Sequence, residues 1–255
     1  MPLAFTEGFS PRPKMHFGPA LPTCYASTSE YLDVNFQEGA LTPCGLEGLA
    51  QTLTEMLPEG MEVLRAVETD PRARSLMSAV ELVEYVVPLR TAPSALDAAL
   101  QRFLDRCAIP LTITRKGREK TVDLRSGVLA LRSFCLDGPL PARVVAADFQ
   151  EWREFPLLWM QLATTPRTAR PTEVLDVLNE ESEREVCEAW LCHRTAQLFS
   201  SETGREEPLP RRANTIALPD EVLWDGTGAK EVCYREEFVD ENMKKSLLSK
   251  TVKGY

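Results

Sequence analysis

Two apolar runs, Val80 to Leu89 and Leu157 to Thr165, constrain the fold most, because runs this short and this apolar read as strands, the second a buried one. Between them, Ser94 with Asp97 three residues on resembles a capping box opening a helix, along which Leu96, Leu100, Phe103, Leu104 and Cys107 make one apolar stripe. Leu111 to Arg115 and Thr121 to Leu124 read as a hairpin turning at Lys116-Gly117, and Val128 to Phe134 as a further strand. After the second run, Pro171 suits the first position of a short helix reaching Leu178, and Ala189 to Leu198 resumes strand alternation.

With the hairpin arm set aside, this half runs strand, helix, strand, strand, helix, strand. That order is the ferredoxin-like unit, a split pair of βαβ motifs with two helices on one face of an antiparallel sheet. The first half repeats part of it. Five prolines between Pro2 and Pro22 exclude a helix there, Met15 and Phe17 alternate with Lys14 and His16, and Glu30 to Phe36 alternates as a second strand. A helix over Leu46, Leu49, Ala50, Leu53 and Leu57 stops at Pro58 and Gly60, and Met61 to Val67 is expected as a strand. The expectation is an α+β protein of tandem ferredoxin-like units: residues 1–72 form one lacking its opening strand and helix, 73–200 a second, and 201–255 a flexible tail. A unit cut in this way leaves apolar sheet surface and a strand edge uncovered.

With 29 Lys and Arg against 38 Asp and Glu, the chain carries a net charge of −9, which opposes long-range attraction to a polyanion but leaves local basic patches free to act. No segment reads as a signal peptide or membrane span, so a cytoplasmic location is expected. The seven cysteines follow no framework, which favours free thiols. Cys187, Cys192 and His193 come nearest to a metal set, but Cys192 and His193 are neighbours in a strand and point to opposite faces, so no metal is expected.

Catalytic signatures are absent from the sequence: there is no phosphate loop, dinucleotide fingerprint, nucleophile elbow or iron–sulfur cysteine cluster. The two histidines, His16 and His193, have no nearby partner pattern for a base–nucleophile pair. The chain is therefore expected to bind rather than to catalyse, and without a cofactor.

The stretch Leu3-Ala4-Phe5-Thr6-Glu7-Gly8-Phe9-Ser10-Pro11-Arg12-Pro13-Lys14, continuing through Phe17-Gly18-Pro19-Ala20-Leu21-Pro22 to Glu30-Tyr31-Leu32-Asp33-Val34, resembles the signature of the bacterial radical SAM-associated (radical SAM-linked) proteins. Their hallmark is Gly-Phe-x-Pro-x-Pro-Lys/Arg feeding a strand. Leu57-Pro58-Glu59-Gly60, Val122-Asp123-Leu124-Arg125 and Arg170-Pro171-Thr172-Glu173-Val174-Leu175 extend the resemblance in order along the chain. It implies a domain of unknown function fused to, or encoded beside, a radical SAM enzyme, which would be the partner and would supply the chemistry. Members usually carry His where this chain has Arg12, and they begin with a further strand and helix. Met1 is accordingly expected to lie inside a longer product, or a neighbouring chain to supply that unit.

The signature also has a physical reading. Gly8 opens backbone conformations closed to other residues, while Pro11 and Pro13 stiffen the extended segment after it, so the loop loses little entropy on binding. Glu7, Gly8, Phe9, Pro11, Arg12, Pro13, Lys14 and His16 are thus the first docking candidates. A second set is basic: Arg115, Lys116, Arg118 and Lys120 at the hairpin, with Arg167 and Arg170 before the last helix. On a ferredoxin-like scaffold these residues support the alternative expectation, RNA binding or processing, although paired aromatics for base stacking are missing.

Overall fold

The computed structural model describes residues 3–37, 45–70, 72–115, 117–180, 192–201, 204–206 and 252–254. The chain is α+β. Its main sheet holds β4 (Leu82–Pro88), β7 (Val128–Phe134), β8 (Leu157–Ala163), β9 (His193–Ser201) and β10 (Gly204–Glu206), in the order β10-β9-β4-β8-β7 with every neighbouring pair antiparallel. The two apolar runs of the sequence are the adjacent central strands β4 and β8, buried along their whole length.

Alternation divides these strands between two cores. Val83, Tyr85 and Val87 of β4 and Leu158, Met160 and Leu162 of β8 meet α3 (Pro93–Asp105) and α4 (Pro171–Glu180), which contribute Leu96, Phe103, Val174 and Leu178. On the other face, Val86, Leu157 and Trp159 pack with Phe134, Val144 and Phe149, the last from a 3-10 turn over Ala146–Trp152. Both faces are thereby closed to water.

Between α3 and β7 a hairpin projects, β5 (Pro110–Arg115) with β6 (Arg118–Asp123), at the place expected from Lys116-Gly117; Gly117 takes φ +74°, a value such a tight turn favours in glycine. Pro171 occupies the first turn of α4.

A smaller sheet carries the N-terminal residues. β1 (Met15–Phe17) pairs antiparallel with β3 (Leu32–Phe36), and β11 (Val252–Gly254) lies parallel on the other side of β3. One helix, α1 (Gly45–Met56), packs Leu46, Leu49 and Leu53 on Val34 and Phe36. Met15 and Phe17 share that face by register yet remain exposed, Phe17 at 64%, so their alternation in the sequence marks no buried stripe. A short strand, β2 (Ala26–Ser27), crosses to the main sheet and runs parallel to β9. The single turn α2 (Leu76–Ala79) precedes β4.

Two local expectations are corrected. Met61 to Val67 forms no strand: Thr54 Oγ1 accepts the Val63 N–H at 2.9 Å, tying the segment back to α1 rather than to a sheet neighbour. Ser94 does not cap α3 either. The helix starts at Pro93 with Ala92 as its non-capping N-cap, and Asp97 instead accepts a hydrogen bond from Ser133 Oγ of β7. Of the strand expected over Ala189 to Leu198, residues from His193 onward are confirmed and residues 189–191 lie outside the described set. Most of the expected tail, 207–251, also lies outside it.

Candidate functional site

The signature forms a closed loop standing on the small sheet. Proline lacks an N–H, so the order Pro11-Arg12-Pro13-Lys14 leaves donors only on Arg12 and Lys14, and both bond inward. Arg12 N–H reaches Thr6 Oγ1 at 3.0 Å and Lys14 N–H reaches the Ala4 carbonyl at 2.8 Å, while Thr6 N–H returns to the Arg12 carbonyl at 2.8 Å. Asn35 fastens the base, donating to the Lys14 carbonyl and accepting from Ala4 N–H. The tip, Glu7 to Pro11, is exposed throughout; Gly8 has φ +129° with open space around it, and Phe9 projects fully into solvent. These bonds close the base of the loop, and Phe9 stands at its exposed tip.

Behind the loop, residues 18–31 are clamped to β9. Arg194, 1% exposed, donates from Nη1 to the Pro19 carbonyl at 2.8 Å and to both Glu30 carboxylate oxygens at 2.9 and 3.2 Å. From Nη2 it donates to the Ala20 carbonyl at 2.8 Å and to Tyr85 Oη at 3.2 Å. Burial pushes the Tyr85 hydroxyl above its usual range, with Arg194 pulling against it. Gln197 Nε2 donates to the Ser29 carbonyl, and Gly18 sits so close that an added Cβ would come within 2.7 Å of Gln197 Oε1. A larger residue there would have to push the Gln197 side chain aside.

The other sequence candidates stand elsewhere. His16 is exposed on β1, opposite Asp33 in register. Arg118 and Lys120 are exposed on β6 and share one face of the hairpin by alternation; Arg115 pairs with Arg118 along the backbone, and Lys116 lies outside the described residues. Arg167 is engaged structurally, gripping Glu173 at 2.7 and 3.0 Å, and Glu173 also accepts Arg170 N–H at the start of α4; the Arg170 side chain faces solvent. Cys192 belongs to the helix-side core while the His193 ring meets Phe149 on the opposite face at 5.0 Å, so the two point apart as expected; Cys187 lies outside the described residues.

Sequence reasoning missed a polar group buried in the main sheet. Glu84 of β4, wholly buried, accepts Gln161 Nε2 of β8 at 2.8 Å and faces Arg143 Nη1 at 3.4 Å. The available signal was a carboxylate and an amide interrupting the two apolar runs.

Residues 1–152 match the model of a family described as uncharacterized proteins conserved in bacteria (DUF2344). The chain belongs to that family. The matched span of this DUF2344 protein contains the signature loop, α1, the hairpin and the first strands of the main sheet. No curated protein and no solved structure matches it. Among the described residues no helix is long and apolar enough to cross a membrane.

Proposed function

We propose that this DUF2344 protein is a non-catalytic docking module that recruits a radical SAM enzyme through its signature loop, on a scaffold of ferredoxin-like units. The observation that carries the reading is the distribution of exposed apolar side chains. Among the described residues ten large hydrophobics are exposed, and nine of them lie between Phe5 and Met77: Phe5, Phe9, Met15, Phe17, Met56, Leu57, Met61, Leu64 and Met77, against Val145 alone elsewhere. Exposed apolar side chains serve a protein partner where they share a surface, and Phe5 and Phe9 share the signature loop. Phe9 supplies the anchor, with the exposed Arg12 on the same loop to meet an acidic rim. The radical SAM partner comes from the likeness of the signature to the radical SAM-associated proteins. The order β9-β4-β8-β7, antiparallel with α3 and α4 packed on one face, supports a ferredoxin-like second unit. The test is calorimetric titration of the purified chain with the radical SAM enzyme of the same genome. Binding that Phe9→Ser weakens by about tenfold or more is expected; no binding, or equal binding by the variant, removes the reading.

The exposed Arg118 and Lys120 on one hairpin face favour a second reading, RNA binding. It requires affinity for RNA that falls steeply as salt rises, whereas docking through Phe9 does not.

A further inference from the structure

We propose that the outer edge of β7 docks a second copy of this chain, the two β7 strands pairing antiparallel across a two-fold axis at Leu131. β7 ends the order of the main sheet, with β8 on its inner side. Two bonds fix which way its main chain faces. Thr164 N–H donates to the Glu81 carbonyl at 2.9 Å and Leu89 N–H to the Pro156 carbonyl at 3.0 Å, at the two ends of the β4–β8 ladder. Bonded and open pairs alternate in an antiparallel ladder, so Leu158, Met160 and Leu162 turn their main-chain groups to β4, and Leu157, Trp159 and Gln161 turn theirs to β7. Those three oppose Phe134, Arg132 and Ala130. The N–H and C=O groups of Leu131 and Ser133 therefore point away from the sheet, and among the described residues no main-chain hydrogen bond meets them. Such a row is a template for another strand.

The side chains say what kind of strand. Protein edges are commonly blunted by shortness, charge, proline or a bulge. β10, at the opposite end of the sheet, has three residues, two of them Arg205 and Glu206. β7 has seven and no proline, its bulge is confined to Val128–Ala130, and its one charge, Arg132, donates to the Pro139 carbonyl of its own chain at 3.2 Å. Leu129, Ala130 and Leu131 are each half-buried. Leu131 borders the helix-side core, while Leu129 and Ala130 border the clusters of the opposite face. Both cores thus run out at β7, and the strand that completes them must be apolar on both faces. Among the described strands β4, β7 and β8 are of this kind, and β4 and β8 already have neighbours on both sides. A second β7 meets the requirement.

Symmetry and charge set the register. Outward-facing residues must oppose outward-facing residues, and of the axes that overlap most of the strand this allows Leu131 and Arg132. An axis at Arg132 puts two arginines directly opposite each other, a destabilising pair. An axis at Leu131 overlaps all seven residues, lets the two Leu131 main chains exchange a pair of hydrogen bonds, and sets Arg132 opposite Ala130 of the partner subunit. This surface shares no residue with the signature loop, so either assignment can fail without the other.

The test is sedimentation equilibrium of the full chain at rising concentration, which should show a monomer passing to a dimer. Leu131→Pro removes an outward N–H that the sheet's own ladder does not use, and should weaken the dimer by about tenfold or more. Ala130→Lys and Ala130→Glu place a charge at the same half-buried site and burden the fold alike; they differ in what they set against Arg132 of the partner subunit. The lysine should weaken the dimer by about tenfold or more, and the glutamate should bind more tightly than the lysine by at least that factor. This comparison decides the matter even where the proline variant fails to fold. A chain that stays monomeric at every concentration overturns the proposal, leaving the edge to a strand of another protein. A dimer on which Ala130→Lys and Ala130→Glu act equally overturns it as well.

Discussion

Arg194 Nη1 lies 2.9 Å from Glu30 Oε1 across 164 residues of chain, and this contact joins the segment behind the signature loop to β9. Arg194 is buried and Glu30 is nearly half exposed, so the two ends differ in energetic weight. Arg194→Ala leaves the Pro19 and Ala20 carbonyls without their donor and should cost about 3–5 kcal/mol of stability. Glu30→Gln keeps an acceptor at the wet end and should cost less, about 1–2 kcal/mol. Urea denaturation measures both, and equal losses would contradict the asymmetry.

Asp123 closes the hairpin against the adjoining 3-10 turn. Desolvation pushes its carboxyl up, but the N–H groups of Ile109, Arg125 and Ser126 outweigh it and hold the group below the usual 3.8. A carboxylate with a depressed folded value contributes stability that is present above its unfolded value and lost as pH falls through the folded one. Asp123→Ala should therefore cost about 1 kcal/mol at pH 7, and the gap from wild type should close as pH falls below 3.8. Unfolding curves from neutral to strongly acidic pH measure this; a gap constant throughout would refute it.

Cys192 is buried in the helix-side core, and desolvation raises its thiol to about 11, only partly offset by a hydrogen bond with Tyr25. Its thiolate fraction at pH 8 is then about a hundredfold below that of an ordinary thiol. Brief iodoacetamide treatment and peptide mapping should find exposed Cys24, Cys107 and Cys135 modified and Cys192 spared until urea is added. Labelling of Cys192 at the rate of the exposed thiols would show that β9 is not seated as described.

What could be read from the sequence was whatever is decided locally. The apolar runs that became β4 and β8, the turn at Gly117 and the placement of Pro171 each depend on a few adjacent residues. Met61 to Val67 misled because its apolar content carries no information about whether a neighbouring strand exists, and a hydroxyl of α1 had already taken the Val63 N–H. The signature loop could be located but not its closure, which depends on Thr6 meeting Arg12. Arg194 gave no signal in β9, since its partners lie on residues 19, 20, 30 and 85 and only the fold brings them together.

The docking account is tested most directly by affinity for the purified radical SAM enzyme of the same genome, measured for wild type, Phe9→Ser and the double variant Arg12→Glu, Lys14→Glu. Wild type and Phe9→Ser should unfold at nearly the same temperature, because Phe9 is exposed and the loop is braced by backbone N–H groups that the substitution leaves in place. The account predicts binding by wild type that each variant weakens by about tenfold or more. Wild-type binding retained in full by both variants would contradict it.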